Sequence, residues 1–229
     1  MGKVIGVYKK SPVPLAQSLQ FDVRQCVTTA RNNKMVDKAH PAFSDWWARE
    51  GDWVEEPNER RDGNSGVQRL TDQDPTLYLK RQTGHLSRSL RYPLGRPTVV
   101  REAWALEAYR AAGVRVPQIR FAGARKHQGQ WQGLLVTEEL SGYVSLGQWY
   151  QRDASLAQRR AVLQQLACVL KRLHSGRRQH GCLYAKHIYV RGEGERAEVA
   201  LLDLEKSRRR LLRGRAVRHD LEQLYRRRE

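Results

Sequence analysis

The residues with chemistry to offer stand along the chain in a fixed order. Lys80 closes the run Leu77-Tyr78-Leu79-Lys80, fourteen residues after Gly66. A strand lysine can pair with the phosphates of a nucleotide, and a carboxylate from a helix can hold it in place. Glu102 is the available carboxylate, at the start of the next helical pattern. Asp203 ends the apolar pair Leu201-Leu202. An aspartate there can hold Mg²⁺ against phosphate oxygens as a hard oxygen ligand, and it equally suits a turn. Upstream, Gly63-Asn64-Ser65-Gly66 carries two glycines. They let a backbone come close to a ligand and aim its amides at phosphate, although the stretch also reads as a plain hairpin turn. Each charge alone could be a solvated surface residue; the ordered series is what points to phosphate.

These side chains need elements to position them. Leu77–Lys80 reads as a short strand. Residues 98–112 read as a helix that Thr98 can cap, with Ala103, Leu106 and Ala112 on one face and Gly113 as its stop. Strands are expected at 118–122 and 133–137, and the clearest helix at 155–174, capped by Ser155. Its face is set by Leu156, Leu163, Leu166, Leu170 and Leu173. Two short strands, 187–190 and 198–202, follow it. The polar run Glu55–Asp74 reads as turn-rich and too broken for a helix. Trp46, Trp47 and Trp53 could stack on bases or sugars, but packing over a sheet is the favoured reading. The pattern is α+β, with a mostly β first half and a helical second half.

The ordered set resembles the protein-kinase-like fold: glycine loop, strand lysine, helix glutamate, linker strand, long helix, catalytic loop, hairpin and metal aspartate. REAWALEAYRAAGVRVP is similar to the lysine-partner helix of small bacterial and archaeal kinases. LYAKHIYV, with His187 five residues after Cys182, resembles the lipopolysaccharide core kinase group (the Kdo kinase/WaaP family), above all its InaA branch. The resemblance spans about residues 45–229. It implies a two-lobed fold with a minimal helical C-lobe, organised as an extension 1–44, a nucleotide-binding lobe 45–140 and a C-lobe 141–229. It implies ATP and Mg²⁺ as cofactors. Gly63 and Gly66 then match the phosphate-covering loop, Lys80 the phosphate-pairing lysine and Glu102 its partner. Glu138 and Leu140 fall in the linker whose backbone meets adenine. His187 and Asp203 take the two metal-ligand places, and Asp220 that of a structural aspartate bracing the catalytic loop. The implied acceptor is a heptose or Kdo hydroxyl of core glycolipid at the inner membrane face.

Two departures qualify that reading. The catalytic aspartate of the pattern aligns with Cys182, whose thiol is mostly protonated near pH 7. Three roles stay open for it: a small buried filler, a weak thiolate base, or a redox-sensitive position. Leu204-Glu205 also replaces the usual Phe-Gly. A non-enzymatic relative that binds nucleotide and serves as a stress-response scaffold is therefore the alternative to a kinase.

Composition bounds the partners. The 229 residues hold 42 Lys plus Arg against 24 Asp plus Glu, a formal charge of +18, so a polyanionic partner is expected. Ten cationic residues lie beyond Asp203. They read either as a solvated helix face or frayed tail, or as a surface attracted to anionic lipid or lipopolysaccharide phosphates. No apolar anchor is evident, so attachment is expected to be peripheral and reversible. Nucleic acid remains possible on charge alone, but no zinc spacing or recognition motif supports it. The 40% hydrophobic share can build a core. Neither a signal peptide nor an apolar span is recognised. The three cysteines (Cys26, Cys168, Cys182) show no metal spacing and fit a reducing cytoplasm.

Overall fold

The computed structural model describes residues 41–60, 63–89, 92–192 and 196–226. Residues 1–40 of the expected extension, Cys26 among them, and the arginines beyond Arg226 lie outside them. The short helix α1 (Pro41–Trp47) leads into strands β1 (Asp52–Arg60), β2 (Gly63–Leu70) and β3 (Leu77–Thr83). A hairpin, β4 (Leu86–Ser89) and β5 (Tyr92–Pro97), precedes helix α2 (Thr98–Ala111), which is followed by β6 (Ile119–His127) and β7 (Gln130–Glu138). These form a five-stranded antiparallel sheet in the order β1-β2-β3-β7-β6. Next come β8 (Val144–Ser145), α3 (Leu146–Tyr150), the long helix α4 (Leu156–Ser175) and β9 (Arg178–Gln179). A 3-10 turn (Ala185–His187), β10 (Ile188–Arg191), β11 (Glu198–Leu201), β12 (Arg208–Arg209) and α5 (Arg213–Arg226) follow. The architecture is mixed α and β, and the second half carries small sheets as well as helices.

The polar run Glu55–Asp74 is mostly strand, which corrects its reading as turn. In β2 the residues Gly63, Gly66, Gln68 and Leu70 are buried between more exposed neighbours. Its polar residues fit because only part of each strand meets the core. Pro57 is tolerated because β1 is an edge strand with register shifts between Trp53 and Asn58.

One face of the sheet buries Leu70, Leu77, Leu79, Phe121, Leu134 and Val136 beneath α1, where Phe43, Trp46 and Trp47 pack on them. Trp46 and Trp47 thus serve packing, as expected. Trp53 remains half exposed. The larger core joins α2 (Val99, Ala103, Leu106, Tyr109) to α4 (Val162, Leu166, Leu170, Leu173) and to Ile188, Leu201 and Leu204.

Helix ends differ from expectation in instructive ways. Ser155 caps α4 through a full capping box with Gln158. Along α4, Leu156 and Leu163 are exposed and Val162 and Val169 take their places in the core. At α2, Thr98 is the first helical residue, not the cap, and Ala112 is exposed. Pro97 precedes it without any side-chain cap. Instead Gln82, buried in β3, accepts hydrogen bonds from the Thr98 hydroxyl and from the Val99 amide at 3.1 Å. A strand residue therefore satisfies the start of the helix. Among the described residues no helix is long and apolar enough to cross a membrane.

Candidate active site

Strand β3 sets the site because side chains alternate between faces with a period of two. Lys80 and Gln82 therefore share a face, and both reach α2. Gln82 fixes the helix start, and Lys80 Nζ lies 2.8 Å from Glu102 Oε2. The pair expected from helix phase is present. Glu102 is buried, and burial raises its pKa against the opposing pull of Lys80.

A second carboxylate completes the arrangement. Glu205 Oε2 lies 3.0 Å from the same Lys80 Nζ. Burial alone would lower the Lys80 pKa, but Glu102 and Glu205 together outweigh it and hold the ammonium above its ordinary range. Lys80 is therefore a fixed cation. Sequence reasoning noted Glu205 only as a departure from Phe-Gly. No period or spacing in the sequence marks this contact, which joins residues 125 positions apart.

Asp203 adopts a left-handed backbone, with φ of 57°. Non-glycine residues visit that region sparingly, and such strain clusters at functional sites. Its Oδ2 lies 3.4 Å from His187 Nε2. The other ring nitrogen of His187 donates to the Cys182 carbonyl at 2.8 Å, because a carbonyl can only accept. In the neutral ring Nε2 then presents a lone pair toward a carboxylate. Two acceptors facing each other suit a proton or a cation between them, so the donor set fits a divalent metal. No cluster of three or more such ligands occurs among the described residues. A metal here would complete its shell with water or phosphate oxygens.

The loop before His187 is braced from below. Asp220 on α5 is fully buried and accepts from the His180 amide at 2.8 Å, the Gly181 amide at 3.0 Å and His174 Nε2 at 3.0 Å. This is the bracing expected of it. Gly181 has φ of +90°, and a Cβ there would meet the Lys206 carbonyl at 2.6 Å, so only glycine fits. Cys182 is buried, and its amide donates to His180 Nδ1 at 3.3 Å. The Tyr109 hydroxyl of α2 lies 2.9 Å from Ser207 Oγ, which in turn donates to the Gln179 carbonyl. Helix α2, the segment after Asp203 and the strand before Cys182 are thus tied together.

The glycines stand differently from expectation. Gly63 opens β2, and Gly66 lies within it opposite Arg81 of β3, so the pair belongs to a strand paired on both sides, not to a loop. Residues 61 and 62, between β1 and β2, lie outside the described residues. At Gly66 the neighbour is protein: a Cβ would lie 2.7 Å from the Trp53 ring. In the linker, the Glu138 amide is bound to the Gln118 carbonyl at 2.8 Å and the Glu139 amide to Thr76 at 2.9 Å. The Glu138 carboxylate pairs with Arg120. Those two amides are committed to the fold, and so is the Leu140 carbonyl, which accepts from the Tyr143 amide at 3.1 Å. A cleft of about 470 Å³ borders this linker, lined by Arg110, Arg115, Glu138, Leu140 and Tyr143 among others, and it includes none of Lys80, His187 or Asp203.

Lys80 is thus held by Glu102 and Glu205, and Asp203 lies beside His187. The family model described as "Lipopolysaccharide kinase (Kdo/WaaP) family" matches residues 44–229. The chain belongs to that family. Among curated relatives of this Kdo/WaaP chain is "Protein InaA" of Escherichia coli (strain K12), 51% identical over 193 residues, which covers 82% of this chain and 89% of the relative. The sequence motifs that pointed to the Kdo/WaaP family, and to its InaA branch, therefore led to the right relatives.

Proposed function

We propose that this chain is an ATP-dependent phosphotransferase with the two-lobed kinase architecture, acting on a sugar hydroxyl of an anionic core glycolipid at the cytoplasmic membrane face. The observation that carries the reading is the Lys80–Glu102 pair at 2.8 Å, joined through Glu205 to the segment of Asp203, which itself pairs with His187. Lys80 would hold nucleotide phosphate, Glu102 would keep Lys80 in place, and Asp203 with His187 would hold Mg²⁺. When bound, the metal neutralises charge on the transferred phosphoryl group. Phosphoryl transfer through a loose transition state depends mainly on positioning and electrostatics, so it tolerates a weak base better than most reactions.

The test is transfer of labelled phosphate from ATP to purified core glycolipid, with Asp203→Ala as control, beside a thermal-shift titration with Mg·ATP. Transfer by the wild type alone is the expected result. Lys80→Met should weaken nucleotide binding about tenfold to a hundredfold, the range for losing a charge-assisted contact. No binding at millimolar nucleotide removes the kinase reading. Binding without transfer supports a second reading, a nucleotide-binding scaffold, which the buried Cys182 at the catalytic-aspartate position specifically favours.

Glu205 yields a further expectation. Nucleotide phosphate must share Lys80 with two carboxylates. Glu205→Gln removes one competing charge and should tighten Mg·ATP binding about twofold to fivefold, the scale of a partly exposed ion pair. Weaker binding would instead place Glu205 beside Asp203 as a group that assists the metal. Calorimetry on both proteins separates the two outcomes.

A further inference from the structure

Between Glu205 and Asp220 the chain contains no acidic residue, yet it holds Lys206, Arg208, Arg209, Arg210, Arg213, Arg215 and Arg218. In the middle of this run sits the pair Leu211-Leu212. Leu211 is 89% exposed and Leu212 59% exposed. The segment is not a frayed tail, because it is fastened from beneath at several points. Ser207 is buried against Tyr109 and the Gln179 carbonyl, β12 pairs with β9, and Ala216 and Asp220 are fully buried on α5. The Arg210 amide also donates to the Arg177 carbonyl at 2.8 Å. Pairing places Arg209 opposite Arg178, which adds to the cationic rim. The fold thus displays two leucines on a turn that is tied down on both sides and flanked by arginines.

Water is a poor neighbour for such leucines, and arginines so close together repel one another. A soluble polyanion would answer the charge and leave the leucines in water. An anionic bilayer answers both, since phosphate headgroups meet the guanidinium groups while short apolar side chains reach the acyl boundary. We infer that the Leu211-Leu212 turn is a membrane-insertion wedge that seats this face on an anionic lipid surface. It differs from the expectation of a purely electrostatic, anchor-free attachment. It deepens the membrane part of the proposed function and does not depend on catalysis.

The test is co-sedimentation of the full chain with vesicles of neutral phosphatidylcholine and with vesicles containing about one-third phosphatidylglycerol, without nucleotide or acceptor. Wild type should partition only onto the anionic vesicles. Leu211→Ser/Leu212→Ser should lower that partition about tenfold, the scale for removing two partly inserted leucines. Both positions are exposed, so an unchanged melting temperature shows that the variant is folded. Leu212→Trp should strengthen binding, because tryptophan favours the headgroup level. The serine variant should keep its deficit at about 0.5 M salt, where the arginine contribution is screened. Equal partition of serine variant and wild type overturns the inference, as does a wild type that ignores anionic vesicles or prefers duplex DNA to them. Because nothing in the assay requires ATP, failure of the kinase reading leaves its outcome intact.

Discussion

Asp220→Ala is expected to cost about 3–5 kcal/mol of stability, the scale for breaking a buried charged network from one side. The substitution leaves the His180 and Gly181 amides and the His174 ring without their acceptor in a buried site. For a chain of this size that corresponds to a melting temperature lower by roughly 10 °C. Asp220→Asn, which keeps one accepting oxygen but turns an NH2 group toward the donors that the other oxygen served, should fall in between. Scanning calorimetry of the three proteins decides it, and an alanine variant that melts with wild type would show that the loop is held by something else.

The same cluster predicts how stability responds to acid. Burial pushes His180 down to about 4, so the folded protein keeps it neutral where an unfolded chain would protonate it. Its folded value lies below its unfolded one of about 6.5, so stability falls as pH drops from about 6.5 to about 4, by about 3 kcal/mol in total. Burial alone would raise the Asp220 pKa, but the hydrogen bonds from His174, Gly181 and His180 outweigh it and lower the value. That contribution is present above the unfolded carboxyl value and is lost only as pH falls further, through the folded value. The melting temperature should therefore begin to drop near pH 6.5, before ordinary carboxylates titrate. His180→Asn should flatten the upper part of the slope. A wild-type melting temperature that is constant from pH 7 to 5 would sink the argument.

The legible parts of this site were those in which one element's period decides. LYLK announces a strand and puts Lys80 on a definite face, while the helix phase brings Glu102 to meet it. What escaped depends on partners distant in sequence. Gln82 caps α2 from a neighbouring strand, which no local cap signal reveals. Glu205 meets Lys80 across 125 positions, two residues after the left-handed backbone at Asp203, and a single sequence carries no mark of either. The strands within Glu55–Asp74 escaped for a different reason. An edge strand and its neighbour can be polar when the ladder, more than the side chains, holds them. The hairpin β4–β5, inserted before α2, gave no signal stronger than the turn residues around it.

Cys182→Asp is the change expected to raise activity most. The position is already fixed: its amide is held by His180 Nδ1 and its carbonyl by His187 Nδ1, so a new side chain starts from a braced backbone. A carboxylate there could accept the proton of an acceptor hydroxyl, and general-base catalysis contributes about 10²–10⁴ in rate. Phosphate transfer to core glycolipid should rise by up to about 10²-fold, the lower end of that range, with little change in nucleotide affinity. Burial of the thiol favours the filler role over a redox-sensitive one, because oxidants reach exposed thiolates first. Cys182→Ala should then leave the wild-type rate unchanged while Cys182→Asp exceeds it. If the thiolate is itself the base, Cys182→Ala loses activity and alkylation reproduces the loss. If the chain is a scaffold, both variants bind nucleotide and neither transfers phosphate. A wild type with fast turnover, untouched by Cys182→Ala and not improved by Cys182→Asp, would mean that the reaction needs no base at this position. The positioning of Lys80, His187 and Asp203 would then have to supply the whole rate.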